Sequence, residues 1–272
     1  MNLQTKLLAL SKAKKAILAA NFYNLETLNA IISGAKAENA SIILQLSESS
    51  INYMGLELAA QMAKTALKVS GVEGWLHLDH GGSLELVQRC LDAGFDSVMI
   101  DASEKPLEEN IRISKEAVRR AEKYGASVEA ELGYIAKLNQ SQDNSGFTQP
   151  EDAVRFTEQT GVNALAVSIG SAHGFYKQEP KIDLELLSRI KAVVNTPLVL
   201  HGGSGIPDET LVNAIRNGIS KINLATETKN AFMKQLKEEL INTDEIDLRI
   251  VFPKATQKAK ELIQNKLRVI SR

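Results

Sequence analysis

The feature that most constrains this chain is a single alternation repeated eight times: a short apolar segment, then an amphipathic stretch. The apolar segments are AILAANF (16–22), SIILQLS (41–47), GWLHLDH (74–80), FDSVMIDA (95–102), SVEAELG (127–133), ALAVSIG (164–170), PLVLHGG (197–203) and ISKINLAT (219–226). Most are near-continuous apolar runs, the pattern of parallel strands covered on both faces. Between them, 26–38, 55–69, 83–93, 106–124, 183–193 and 208–216 carry helical periodicity. Ser83 stands where a helix N-cap is needed, Pro106 suits a first helical turn, and Gly94, Gly125, Gly161 and Gly218 fall where helices end. Strand–helix repeats call for a parallel sheet, and eight of them call for a closed one. The competing open, doubly wound sheet would place G-x-G-x-x-G after its first strand, and none is there. The sequence therefore predicts a single α/β domain over 1–272, a (β/α)8 TIM barrel. A charged helical extension at 253–270 would cover the barrel or join a partner subunit.

No Pro/Gly/Ser-rich linker divides the chain. The 32 Lys+Arg balance 33 Asp+Glu without a long basic run, which argues against nucleic acid as a partner. Lys6, Lys12, Lys14 and Lys15 interrupt the early apolar stretches, so neither a secretory signal nor a membrane span is expected. A single cysteine, Cys90, rules out an internal disulfide framework and fits a reducing, cytoplasmic setting.

The chemistry gathers at strand ends. The chain has four histidines, and His80, His173 and His201 fall at or just past the C-terminal ends of strands three, six and seven. Barrel enzymes place their catalytic groups on that face. Three neutral imidazoles converging there would make a zinc site with a fourth position open to substrate. His77 reads as a packed, hydrogen-bonded residue of the barrel. Asp79 precedes His80 and could act as a general acid/base, or orient a histidine at the metal. His201 opens H-G-G-S-G, where Gly202, Gly203 and Ser204 would offer N–H groups and a hydroxyl to an anion. Asn223, Leu224, Ala225 and Thr226 end the neighbouring strand, and loops after strands seven and eight of such barrels often hold phosphate. Lys221 could add charge there or stand in solvent. Asp101 and Glu131 end strands four and five, where they could bind a second cation, cap helices or form salt bridges. The polar stretch 134–149 follows strand five and reads as a lid or substrate loop, with a disordered surface excursion as the alternative.

These residues resemble a known family. HLDHGGSLELVQRCLDAGFDSVMIDAS, then VEAELG, SIGSAHGFYK, PLVLHGGSGIP and KINLATET, between ANFYNLETL (20–28) and KATQKAKELI, are similar in order to the class II aldolases of fructose and tagatose bisphosphate. The resemblance implies zinc on His80, His173 and His201, with Asp79 as catalytic acid/base. It implies that Gly174, Gly202–Ser204 and Asn223–Thr226 bind dihydroxyacetone phosphate, with Asn21 and Ser47 at further substrate positions. Asp101 and Glu131 match positions that take a second metal in some members. A monovalent cation (Na+ or K+) near the phosphate and a homodimer or homotetramer are further traits it carries. The mechanism it implies uses zinc as Lewis acid on the ketone, with Asp79 moving the hydroxyl proton.

The chain departs from the family after ELG. Tyr134-Ile135-Ala136-Lys137-Leu138-Asn139 stand where a glycine pair and acidic residues are usual, and the first nearby carboxylate is Asp143. Ala20 also replaces an aromatic residue before Asn21. A binding-only barrel that keeps zinc and a phosphorylated ligand is the competing reading, as is a metal-dependent hydrolase or isomerase on the same rim. The intact Asp79 speaks against the first, and H-G-G-S-G with Asn-x-x-Thr against the second.

Overall fold

A computed structural model describes residues 1–133, 135, 146–176, 180–241 and 243–272. Its strands are β1 (Ile17–Asn21), β2 (Ile42–Ser47), β3 (Gly74–Gly81), β4 (Ser97–Ile100), β5 (Ser127–Leu132), β6 (Ala164–Val167), β7 (Leu198–Leu200) and β8 (Ile219–Leu224). Each pairs in parallel with the next, and β8 pairs with β1. The expected (β/α)8 barrel is the observed fold. Each strand lies within its apolar segment, β3 alone running one residue further.

The described helices are α1 (Leu3–Lys12), α2 (Leu25–Ala37), α3 (Glu48–Met54), α4 (Leu56–Ser70), α5 (Leu84–Asp92), α6 (Leu107–Glu122), α7 (Pro150–Thr160), α8 (Leu184–Val193), α9 (Asp208–Arg216), α10 (Thr226–Ile241) and α11 (Leu248–Ile270). Their ends follow local chemistry. Ser83 Oγ accepts the Leu86 N–H at the start of α5, and Gly161 takes φ +71° at the end of α7, a backbone that glycine adopts without strain. The helix α3 was not foreseen; Ser47 at the end of β2 caps it.

Uniform burial hides two different strand faces. Outward residues such as Leu44, Leu78, Val98, Ala130, Leu200 and Ile222 pack under the helices. Inward residues at the lower end form a separate apolar plug, in which Ile17, Ile43, Trp75, Ala164 and Val199 meet Leu3 and Leu7 of α1. Higher on the same inward face the residues turn polar: Gln45, His77, Ser97, Glu129 and Lys221, all buried. Above these stand Asn21, Asp79, Glu131, His201 and Asn223, also buried. The interior is thus graded from hydrocarbon to polar groups along the barrel axis, and chemistry is confined to the C-terminal end.

The C-terminal extension begins earlier than the sequence indicated. The helix α11 packs mainly on α2 and α10, burying Val251, Ala255, Ala259, Ile263 and Leu267. Contact with α2 is close because Gly34 has no side chain; a Cβ there would stand 2.8 Å from Ile263 Cγ2. Among the described residues no helix is long and apolar enough to cross a membrane.

The plug sets a first prediction. Leu7 lies on a helix added below the barrel and is 2% exposed. Leu7→Ala should lower the unfolding free energy by about 2–5 kcal/mol in a denaturant titration, the range for deleting a buried leucine. A change under about 0.5 kcal/mol would show that α1 does not close the barrel.

Candidate active site

The strand ends place side chains by strand alternation, with one exception. Asp79 follows the inward alternation of β3, so His80 should turn outward. Instead His80 adopts φ +51°, and the β3–β4 register shifts between Leu78 and Gly81. A bulge of this kind re-aims a side chain, and here it lets consecutive residues face the same rim. A non-glycine residue at positive φ costs on the order of 1–3 kcal/mol, a strain that the hydrogen bonds of His80 must outweigh.

His201 follows β7 directly, and His173 lies in the segment after β6. The imidazoles converge: His80 Nε2 is 3.1 Å from His173 Nε2 and 2.9 Å from His201 Nδ1. Carboxylates fix the tautomers of two of them. His80 Nδ1–H donates to Asp101 Oδ2 at 2.8 Å, and His201 Nε2–H donates to Glu129 Oε1 at 2.9 Å. The nitrogens left facing one another are lone-pair donors, as a metal requires. Ligand atoms of all three histidines lie within 4.8 Å, and a second set, His80, Asp101 and Glu131, meets the same limit. Glu131 Oε2 is buried, has no hydrogen-bond partner among the described residues and lies 3.7 Å from His201 Nδ1. Burial pushes the Glu131 carboxyl up to about 8 despite the opposing His80 charge. An imidazole trio backed by a buried carboxyl group with one unpartnered oxygen fits a divalent cation.

Asp79 is clamped by neutral groups. Asn21 Nδ2 donates to Oδ2 at 2.7 Å and Asn223 Nδ2 to Oδ1 at 3.2 Å. Burial alone would raise its carboxyl, but the electrostatic influence of His80, His201 and Lys221 and the Asn21 hydrogen bond hold it below the usual range. Asp79 is therefore an ionised, oriented carboxylate. It does not orient a histidine; Asp101 and Glu129 do that.

A cavity of about 230 Å³ joins these groups, lined by Asn21, Ser47, Asp79, His80, His173, Gly174, Gly202, Ser204, Asn223, Ala225 and Thr226, with Tyr23, Ser49 and Lys229. A larger cavity of about 770 Å³ lies at the opposite end of the barrel and contains no histidine. Two expected binding residues do not line the rim cavity. Gly203 N–H donates to Asn223 O at 3.1 Å, so it joins β7 to β8 and does not face an anion. The Leu224 side chain is buried in the layer beneath the helices, on the outward face of β8.

Lys221 also departs from its sequence reading, being neither solvated nor at the anion turn. It is fully buried, its Nζ 2.8 Å from Glu129 Oε2 and 3.5 Å from His77 Nε2. With its amide turned to satisfy both neighbours, Gln45 accepts from Lys221 Nζ at 3.1 Å and donates to Asn21 Oδ1 at 3.1 Å. His77 is the packed barrel residue expected, its Nδ1 2.9 Å from Ser97 Oγ.

The sequence reading missed Glu129 and Tyr176. Glu129 lies two residues before Glu131, the spacing that puts both on the inward face. Tyr176 Oη accepts the Ala172 N–H at 2.8 Å and donates to Gly202 O at 2.9 Å, clasping the segment of His173 to the turn after His201. The backbones there are so close that a Cβ on Gly202 would stand 2.2 Å from Ala172 O. Of the proposed lid, Tyr134 and 136–145 lie outside the described residues, with Asp143 among them. Its returning end is tied between β5 and β6: Thr148 Oγ1 donates to Leu132 O and accepts from Ser168 N–H.

Comparison with known proteins gives this geometry its setting. The family profile described as fructose-bisphosphate aldolase class-II matches residues 1–272. The chain belongs to the class II fructose-bisphosphate aldolase family. A fructose-bisphosphate aldolase of Geobacillus stearothermophilus is 41% identical over 84% of this chain and 82% of its own length. One of Helicobacter pylori is 34% identical over 97% and 95%. Among solved structures, the YdjI aldolase of Escherichia coli K12 superposes with a TM-score of 0.89 at 32% identity, covering 99% of this chain and 96% of that one. The class II family is one of lyases, and the barrel end with three histidines is where this member keeps its polar cavity.

Glu129 supplies a second prediction. Glu129→Gln keeps the shape but removes the charge that the Lys221 ammonium and the His201 N–H both address. Divalent-metal affinity by calorimetry should fall about 10–100-fold, as when other carboxylates behind metal histidines are removed. Unaltered affinity would separate Glu129 from the metal site.

Proposed function

We propose that this protein is a zinc-dependent aldolase that reversibly cleaves a ketose 1,6-bisphosphate, of the fructose or tagatose type, to dihydroxyacetone phosphate and an aldehyde such as glyceraldehyde 3-phosphate. The observation that carries this is the convergence of His80, His173 and His201 within 4.8 Å beside an ionised Asp79, in a cavity that opens onto a glycine-rich turn. His80, His173 and His201 would hold the zinc, and His80, Asp101 and Glu131 could take a second ion. Zinc there supplies Lewis-acid polarisation of the ketone.

The chain's own groups do the rest. Gly202, Ser204, Ala225 and Thr226 anchor the phosphate so that the ketone is held at the histidines. Gly174 and Ser47 wall the cavity around the carbon chain. In cleavage Asp79 takes the proton of the hydroxyl on the carbon that becomes the aldehyde; in synthesis it returns that proton. Asn21 and Asn223, which hold Asp79 in the free protein, keep the carboxylate aimed while the proton moves. The family's usual acids after ELG are replaced here, so proton exchange at the ketone carbon needs another group, and none is assigned. A reducing cytoplasm suits the buried Cys90. A homodimer or homotetramer would cover the exposed Leu240, Ile241, Ile246, Leu248 and Ile250 around the start of α11.

Zinc-loaded protein should cleave fructose 1,6-bisphosphate or tagatose 1,6-bisphosphate, lose activity to a chelator and regain it with zinc. Asp79→Ala should lower kcat by about 10²-fold or more. A metal-loaded protein that cleaves neither sugar and exchanges no proton of dihydroxyacetone phosphate would favour the binding-only barrel instead.

A further inference from the structure

The cavity holds one charge that neither the zinc histidines nor Asp79 requires. Lys229 is the only lysine or arginine among the described residues that line it. Other lysines of this neighbourhood are matched with carboxylates: Lys221 with Glu129, and Lys266 with Glu227 and Asp208. Lys229 has no carboxylate partner among the described residues. Its Nζ stands 5.0 Å from the centre of the Tyr23 ring, a cation–π contact. Tyr23 is fixed in turn, its N–H bonded to Thr27 Oγ1 at 2.9 Å at the start of α2. The ring thus helps to hold the ammonium at the cavity.

Position on the helix makes this charge useful. Thr226 is the first residue of α10 and Lys229 follows one turn later, so the two share a face. The start of α10 is tied to the glycine turn, with Glu227 N–H donating to Ser204 Oγ at 3.2 Å. A helix N-terminus, a serine turn and an unmatched ammonium therefore border one cavity, an arrangement that favours an anion. The Tyr23 hydroxyl adds a donor: burial and the nearby Asp79 charge push its pKa far up, so it keeps its proton.

We propose that Lys229, held by the Tyr23 ring, completes an anion subsite with the Gly202–Ser204 turn and the start of α10. Through it the site distinguishes a phosphorylated three-carbon ketone from the unphosphorylated one. The inference rests on the aldolase reading only for the identity of the ketone; recognition of the anion stands apart and has its own probe. Lysine serves as a compact point charge, so arginine at 229 should substitute for it in large part.

The test is titration of inorganic phosphate into zinc-loaded wild-type, Lys229→Ala and Lys229→Arg proteins, followed by steady-state cleavage of the ketose bisphosphates. Lys229→Ala should weaken phosphate binding about 10–100-fold, the scale of one charge-assisted contact. It should raise KM by a similar factor with a much smaller change in kcat, while Lys229→Arg recovers most of the loss. Proton exchange on unphosphorylated dihydroxyacetone should change less than about two-fold, since one fewer phosphate contact does not touch it. Phosphate binding and KM unchanged in Lys229→Ala would overturn the subsite, as would a wild-type protein that binds no phosphate at millimolar concentration. If phosphate binding depends on Lys229 but no ketose bisphosphate is cleaved, the subsite stands and the aldolase reading falls.

Discussion

An ammonium group taken out of water costs several kcal/mol unless its surroundings replace the solvent, and the Lys221 side chain is only 1% exposed. The interior of this barrel is organised around meeting that cost. Glu129 supplies the opposite charge, Gln45 an acceptor, and His77 stands at the third side. Each of these partners leads outward to the rim. Glu129 uses its other oxygen to fix the tautomer of His201, and Gln45 passes through Asn21 to Asp79. One buried charge therefore orients a histidine of the trio and the carboxylate beside it. Removing it would leave Glu129 uncompensated and both arms of the network free to reorient.

Most of the fold was legible because each strand is apolar on its outward face and its helices carry their own start and stop residues. The three histidines were legible because they stand at strand ends. The interior was not. Strands buried on both sides show no polar–apolar alternation strong enough to reveal which face is which, so Lys221 was left between the anion turn and solvent, and Glu129 drew no notice. Gly203 and Leu224 stand off the cavity lining for a related reason: a motif gives an order of residues, whereas an N–H already bonded across strands, or a side chain on the far face, is a property of the closed sheet. His80 is the converse case. Strand alternation alone would turn it away from Asp79, and only the bulge with its positive φ brings the pair together.

The rim also shows how one site can be assembled from distant segments. Tyr176 holds the segment of His173 against the turn after His201, and Ser204 holds that turn against the start of α10. The proposed metal position and the proposed anion position thus share a scaffold of hydrogen bonds, although their residues come from β3, from the segments after β6 and β7, and from the start of α10. Membership of the class II family fits this arrangement.

His80, His173 and His201 are proposed to hold one metal ion together at the mouth of the barrel. Anomalous diffraction at the zinc edge, on crystals of the zinc-loaded protein, tests it most directly. The expected result is a peak bonded to His80 Nε2, His173 Nε2 and His201 Nδ1 at about 2.0–2.1 Å, with a further position facing the cavity. A strong peak elsewhere with these three nitrogens unliganded, or no peak at full zinc loading, would contradict it.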